Sequence, residues 1–172
     1  IVYGQGVILG GAEEELKALV EKAGIPAAWT ILGLSAMDSS HPLNVGMVGM
    51  HGNYGPNVLT NECDVLIAIG MRFDDRVTGS LDTYAKQAKI IHFEIDPSEV
   101  NKNVAVDVAV LGDAKETLSL LLPKIQKNSH TAWRKEFDLK YEEEYKTVIH
   151  KDIHPTKPGL TMGEVIEEIN GA

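Results

Sequence analysis

Apolar positions recur along this chain in two rhythms. Val65-Leu66-Ile67-Ala68-Ile69 is an unbroken apolar run, the pattern of a parallel strand buried on both faces. Lys89 to Ile95 and Val104 to Leu111 read as further strands, Pro26 to Ile31 as an earlier one, and Val2-Tyr3 as the end of a first. Between the first two, Leu16, Leu19, Val20 and Ala23 fall at i, i+3, i+4 and i+7, one face of a helix that Gly24 is placed to terminate. A last helix opens at Asp113, with Glu116 three residues on and Ala114, Leu118, Leu121, Leu122 and Ile125 as its core face. Strand–helix alternation of this kind predicts an α/β fold with a doubly wound parallel sheet. In such sheets ligands bind beyond the carboxyl ends of the strands.

The pattern changes after residue 128. Trp133, Phe137, Tyr141 and Tyr145 recur every four residues among many charges, as in a helix laid across a neighbour. His154-Pro155-Thr156-Lys157-Pro158-Gly159 reads as an extended connector, because proline fixes φ and restricts the residue before it. Thr161 and Glu164 have the spacing of a capping box, followed by an apolar face of Val165, Ile166 and Ile169. These features predict a domain over 1–128, a linker over 129–160 and, over 161–172, the truncated start of a following domain. Both ends read as cut from a longer chain.

Composition narrows the function classes more than it identifies one. Of 172 residues, 44% are hydrophobic and 24% charged, ordinary values for a globular domain. The net charge of −9 argues against nucleic acid or an anionic membrane as partner, so any anion site must be local. A single cysteine, Cys63, excludes an internal disulfide and a cysteine-based zinc cage, and it reads as a small buried hydrophobe. No apolar stretch approaches the ~20 residues that span a bilayer. A reducing, cytoplasmic setting is expected.

Every unusual polar cluster follows a strand. Gly4-Gln5-Gly6, with Gly10-Gly11 beyond, is either a nucleotide turn whose backbone N–H groups approach a pyrophosphate or an ordinary βα turn. A full G-x-G-x-x-G pattern would place a glycine where Leu9 stands. Gly70-Met71-Arg72-Phe73-Asp74-Asp75-Arg76-Val77-Thr78-Gly79 carries two arginines suited to phosphate, with two aspartates able to orient them; the plainer reading is a solvated ion-pair loop. Gly46-Met47-Val48-Gly49-Met50-His51-Gly52 mixes glycines with methionines that suit a flat ring, or is simply a glycine-rich loop with a surface histidine. Glu94 and Asp113 stand at strand ends, where an acid accepts a ribose hydroxyl, although Asp113 serves equally as a helix cap. The scattered histidines give no metal-ligand spacing, and no paired carboxylates, Ser-His-Asp order or P-loop occurs.

Taken together, Gly24-Ile25-Pro26, the glycine–methionine–histidine segment, the Arg72–Gly79 loop and Ile95-Asp96-Pro97-Ser98-Glu99 resemble the middle domain of the acetohydroxyacid (acetolactate) synthases. The resemblance runs over residues 1–128. It implies a Rossmann-like, three-layer αβα domain with a six-stranded sheet that holds FAD in a structural, non-redox role. Its cofactor contacts would fall on Gly4, Gln5 and Gly6; Thr30 and Ile31; Val48, Gly49, Met50 and His51; Gly70, Met71, Arg72, Asp74, Arg76 and Val77; Glu94 and Ile95; and Asp113 and Ala114. The family often has three consecutive glycines where this chain has Gly4-Gln5-Gly6. The parent enzyme would condense two pyruvates, or pyruvate and 2-oxobutyrate, in branched-chain amino acid biosynthesis. It would do so with thiamine diphosphate and Mg2+, neither bound by this stretch, which lacks the activating glutamate and the diphosphate motif. Expected partners are the flanking domains, further copies in a homodimer or tetramer, and a regulatory small subunit. The competing readings are an NAD-binding dehydrogenase domain and a sirtuin-like deacylase; the latter usually needs four zinc-binding cysteines.

Overall fold

The computed structural model describes residues 1–156 and 159–171. Six parallel strands form one sheet: β1 (Val2–Tyr3), β2 (Ala27–Trp29), β3 (Asn44–Met47), β4 (Val65–Ile69), β5 (Lys89–Glu94) and β6 (Val108–Leu111), in the order β3-β2-β1-β4-β5-β6. The chain therefore winds outward in one direction from β1 to β3, crosses back, and winds outward in the other from β4. Its reversal point lies between β1 and β4, where a doubly wound sheet opens a crevice at its carboxyl edge. The expected fold class is observed.

Helices cover both faces. On one lie α1 (Gln5–Leu9), α2 (Glu13–Ala23) and, late in the chain, α5 (Ala114–Leu121). Leu16, Leu19, Val20 and Leu118 from these helices pack with Tyr3, Ile69 and Phe93 of the strands. The opposite face collects Val2, Ala28, Leu66, Ala68 and Ile90, the alternate residues of the same strands, with Cys63, Met71, Phe73 and Tyr84. Burial pushes the Cys63 thiol up, as suits a packing residue rather than a nucleophile.

Local signals set the helix ends. Gly24 closes α2 in the left-handed conformation (φ 63°), where a side chain would be strained, and its N–H bonds the Val20 carbonyl. Asp113 caps α5 by accepting from the N–H groups of Lys115 and Glu116 at 2.9 and 3.2 Å. Asp113→Ala is expected to destabilise the domain by about 1 kcal/mol, read as a lower urea midpoint.

Strand bounds differ from the sequence reading in four places, of which the smallest is that the fifth strand ends at Glu94 and not Ile95. The second strand covers only Ala27–Trp29, and Ile31 opens a 3-10 helix (Ile31–Ala36) instead. The sixth begins at Val108, four residues later than expected, because 97–107 is turn and loop. The edge strand β3 is unexpected and runs into the start of the segment read as a glycine-rich loop, at Gly46 and Met47; Asn44 and Gly46 give it a weak strand signature, and pairing with β2 creates it.

After Asn53 come α3 (Tyr54–Thr60) and α4 (Asp75–Thr78), neither evident in the apolar pattern. The stretch expected as a linker contains α6 (Thr131–Glu144), one π-helical turn (Tyr145–Ile149) and α7 (His150–Ile153). Helix α6 lies across α3: Phe137 is buried, Trp133 meets it edge-on at 5.6 Å, and the Arg134 Nε donates to the Pro42 carbonyl at 2.6 Å. Tyr141, on the same spacing, stays exposed. Lys157 and Pro158 of the expected connector, and Ala172, lie outside the described residues. Helix α8 (Met162–Gly171) starts with the expected capping box: Thr161 N donates to Glu164 Oε2 at 2.9 Å and Glu164 N to Thr161 Oγ1 at 3.2 Å. Among the described residues, no helix is long and apolar enough to cross a membrane.

Candidate binding cleft at the sheet reversal point

Strands β1 and β4 end side by side, and the two turns that follow them are in backbone contact. Gly4 N donates to Ile69 O at 3.0 Å, and Gly6 N to Gly70 O at 2.8 Å. A Cβ on Gly4 would lie 2.6 Å from the Gly70 carbonyl oxygen, and one on Gly6 would lie 2.6 Å from the Gly70 Cα. These glycines therefore let two chain segments cross. Their N–H groups are engaged within the protein and do not face outward toward a pyrophosphate, which corrects the reason given for them from the sequence. Nor does α2 offer its N-terminus to an anion, because Glu13, Glu14 and Glu15 occupy its first turn.

Above this crossing opens a cleft of about 580 Å³, within the range of small-molecule sites. Five loops line it. The first turn contributes Gln5 and Gly6; the end of β2 contributes Thr30 and Ile31. The segment after β3 adds Val48, Met50 and His51, and the loop after β4 adds Gly70, Met71, Arg72, Asp74, Arg76 and Val77. Glu94 and Ile95 come from the end of β5. Residues from positions 5 to 95 thus meet because parallel strands deliver every carboxyl end to one edge.

Four expected site residues lie off this lining. Gly4 is beneath it in the crossing. Gly49 lines the adjoining cleft of about 330 Å³ between α3 and α4. Asp113 is occupied as the cap of α5, and Ala114 is buried in the core. Four residues not nominated from the sequence join the lining: Leu9, Leu32, Met47 and Asp75. Leu9 is 77% exposed and Leu32 60%, beside Ile31 at 68%, Met50 at 67% and Ile95 at 67%, so the rim is apolar as well as glycine-rich. Exposed leucines flanking a glycine turn were the available signal.

The arginine loop is held by its backbone. The Asp74 carboxylate accepts from Arg76 N at 3.0 Å and caps α4. Met50 N donates to Arg76 O at 2.7 Å, which ties the two long loops together. Among the described residues neither guanidinium, Arg72 or Arg76, pairs with an acid, and both side chains are exposed. The expectation that Asp74 and Asp75 orient the arginines is therefore corrected: Asp74 is used as a cap, and Asp75 makes no such ion pair.

Glu94 is buried at the far wall. Its Oε1 accepts from Ile95 N and Asp96 N at 2.9 and 3.1 Å, and its Oε2 lies 3.6 Å from His92 Nε2. One oxygen is thus fixed by the turn. No group of three or more histidine, cysteine or acidic side chains suits a metal among the described residues.

Residues 1–121 match the family described as the thiamine pyrophosphate enzyme central domain. A protein of Methanocaldococcus jannaschii named "Probable acetolactate synthase large subunit" is 42% identical over 174 residues, covering 99% of this chain and 29% of that protein. The acetolactate synthase large subunit of Corynebacterium glutamicum is 50% identical over 122 residues, 71% of this chain and 20% of its own length. That of Parasynechococcus marenigrum is 49% identical over 122 residues, again 71% and 20%. The chain thus spans between a fifth and a third of the length of these relatives. The dehydrogenase and deacylase readings find no support in these matches.

Proposed function

The chain belongs to the family of thiamine pyrophosphate enzyme central domains, and from that premise we propose that it is the central domain of an acetolactate synthase large subunit whose cleft holds FAD. The observation that carries the ligand reading is a pair of guanidiniums, Arg72 and Arg76, without an acidic partner among the described residues, on the lining of a cleft at the sheet's reversal point. In a chain of net charge −9, these two guanidiniums supply the local positive charge a multiply charged anion needs, on a lining that also carries Asp74, Asp75 and Glu94. The rest of the lining fits the remainder of a dinucleotide. Exposed Ile31, Leu32 and Met50 offer apolar and polarisable surface to a flat ring, and Glu94, whose Oε1 is fixed by the turn, would accept from a sugar hydroxyl through Oε2.

FAD here would organise the site rather than exchange electrons. The parent enzyme would condense two pyruvates, or pyruvate and 2-oxobutyrate, in branched-chain amino acid biosynthesis. Thiamine diphosphate with Mg2+ would supply the carbanion chemistry from outside this domain. The flanking domains, further copies of the subunit and a regulatory small subunit are its proposed partners, in the cytoplasm.

The test is a titration of the purified domain with FAD, followed by quenching of flavin fluorescence. Saturable binding weaker than nanomolar is expected, because a dinucleotide loses contacts, and loops must be fixed on binding, when neighbouring domains are missing. NAD+ at the same concentration should not displace the flavin. Absence of saturable FAD binding, or equal competition by NAD+, would overturn the flavin assignment.

A further inference from the structure

Arg72 is flanked by two carbonyls that the sheet does not satisfy. After Gly70 the backbone turns out of β4 with φ 56°, so Met71 and Phe73 leave the strand ladder. Each of their carbonyls is met by a side chain from a distant part of the chain. His92 Nε2 lies 2.9 Å from Met71 O, and Asn103 Nδ2 donates to Phe73 O at 2.7 Å. A carbonyl oxygen only accepts, so His92 donates to it from Nε2, and the ring's other nitrogen is Nδ1. That Nδ1 is buried without a partner among the described residues, and the whole side chain is inaccessible.

An unpartnered buried nitrogen is destabilising, and an apolar residue at the same position would avoid it. Packing alone therefore does not account for an imidazole there. Its ring does contribute to packing, edge-on to Phe73 at 5.0 Å, so His92 contacts the loop both at Met71 and at Phe73. Asn103 is different in kind. It sits on the exposed 97–107 loop, and its amide reaches back thirty residues to the carbonyl just after Arg72.

We propose that His92 and Asn103 are positioning residues that hold the backbone around Arg72 in its anion-binding geometry, by donating to the carbonyls of the residues before and after it, Met71 and Phe73. Neither residue needs to touch the ligand. They fix the origin from which the Arg72 guanidinium projects into the cleft, so that less of the loop is ordered at binding. The inference rests on the FAD reading for its ligand, but the ordering of the loop stands apart from it.

Asn103→Ala carries the test, since the position is exposed and the urea midpoint should fall only by the worth of one hydrogen bond, with the fold kept. In the ligand-free protein the amides of 71–74 should exchange faster with solvent than in the parent. FAD affinity should fall about fivefold, the equivalent of one ordinary hydrogen bond. The dependence of affinity on salt should be unchanged, because no charge is removed. In an Arg72→Gln background the same substitution should have almost no further effect on affinity. His92→Leu should reproduce the faster exchange, with some loss of stability. Unchanged exchange at 71–74 in Asn103→Ala, or an affinity loss that persists in full without Arg72, would overturn the proposal. Failure of the parent to bind FAD while exchange still accelerates would count against the flavin reading and leave the positioning role standing.

Discussion

Gly70→Ala is expected to destabilise the domain by about 2–5 kcal/mol, a large share of the ~5–15 kcal/mol that holds a typical domain folded. Two terms add. The residue has φ 56°, and an L side chain in the left-handed region costs roughly 1–2 kcal/mol. A Cβ would also lie 2.8 Å from the C and Cα of Gly6 and from Val7 N, all backbone atoms that no rotamer change can move aside. Overpacking of that kind costs about 1–3 kcal/mol. Gly11→Ala separates the terms: its φ is 59°, but nothing lies within 4 Å of its ideal Cβ, so it should show the torsional cost alone. Urea unfolding of both variants is the measurement. A loss at Gly70 no greater than at Gly11 would mean the β1 and β4 turns are not in contact as described.

The same crossing explains what the sequence could and could not convey about the site. Gly4 and Gly6 were visible as a turn that either approaches a phosphate or simply joins strand to helix, and Gly70 only as the head of the arginine loop. Their closest neighbours turn out to be each other, a relation between residues sixty-four and more apart that no local pattern encodes. By contrast β4 was legible residue for residue, because a strand buried on both faces must be apolar throughout. Strand β3 was hidden for the opposite reason. An edge strand paired on one side only needs little more than an extended backbone, and in Asn44-Val45-Gly46-Met47 the one apolar alternation, Val45 and Met47, is too short to stand out.

Most of the cleft was readable in the same way. Fifteen of the nineteen residues that the family resemblance implies line it, and the polar clusters that follow strands point to the same edge, where a parallel sheet delivers each strand's carboxyl end. The supporting interactions were not readable. Asp74 and Asp75 look like partners for Arg72 and Arg76 in a linear reading, yet a one-turn helix at 75–78 draws Asp74 into a cap instead. Asn103 and His92, thirty and about twenty residues from the carbonyls they meet, carry no sequence signal at all for that role.

With both guanidiniums unpaired among the described residues, the combined variant Arg72→Gln/Arg76→Gln should weaken FAD binding by about 3–5 kcal/mol, more than a hundredfold. Each hydrogen bond to a charged group contributes roughly 1.5–3 kcal/mol, and the upper sum is trimmed because neighbouring sites are seldom additive. Loss of two cations should also flatten the dependence of affinity on salt, unlike the Asn103 variant. Stability should change by no more than about 0.5 kcal/mol, since both side chains are exposed and break no ion pair when shortened. The Arg76 backbone contact to Met50 survives the exchange. A proper control removes an equally exposed charge elsewhere: Lys135→Gln on α6 serves, whereas Arg134 does not, because it fastens α6 to Pro42. Flavin fluorescence titration at two salt concentrations, beside urea unfolding, distinguishes the outcomes. Parental affinity in the double variant would show that the arginines are solvated surface charge, and unfolding before binding can be measured would show that they hold the loop together. Either result would remove the anion site from this cleft.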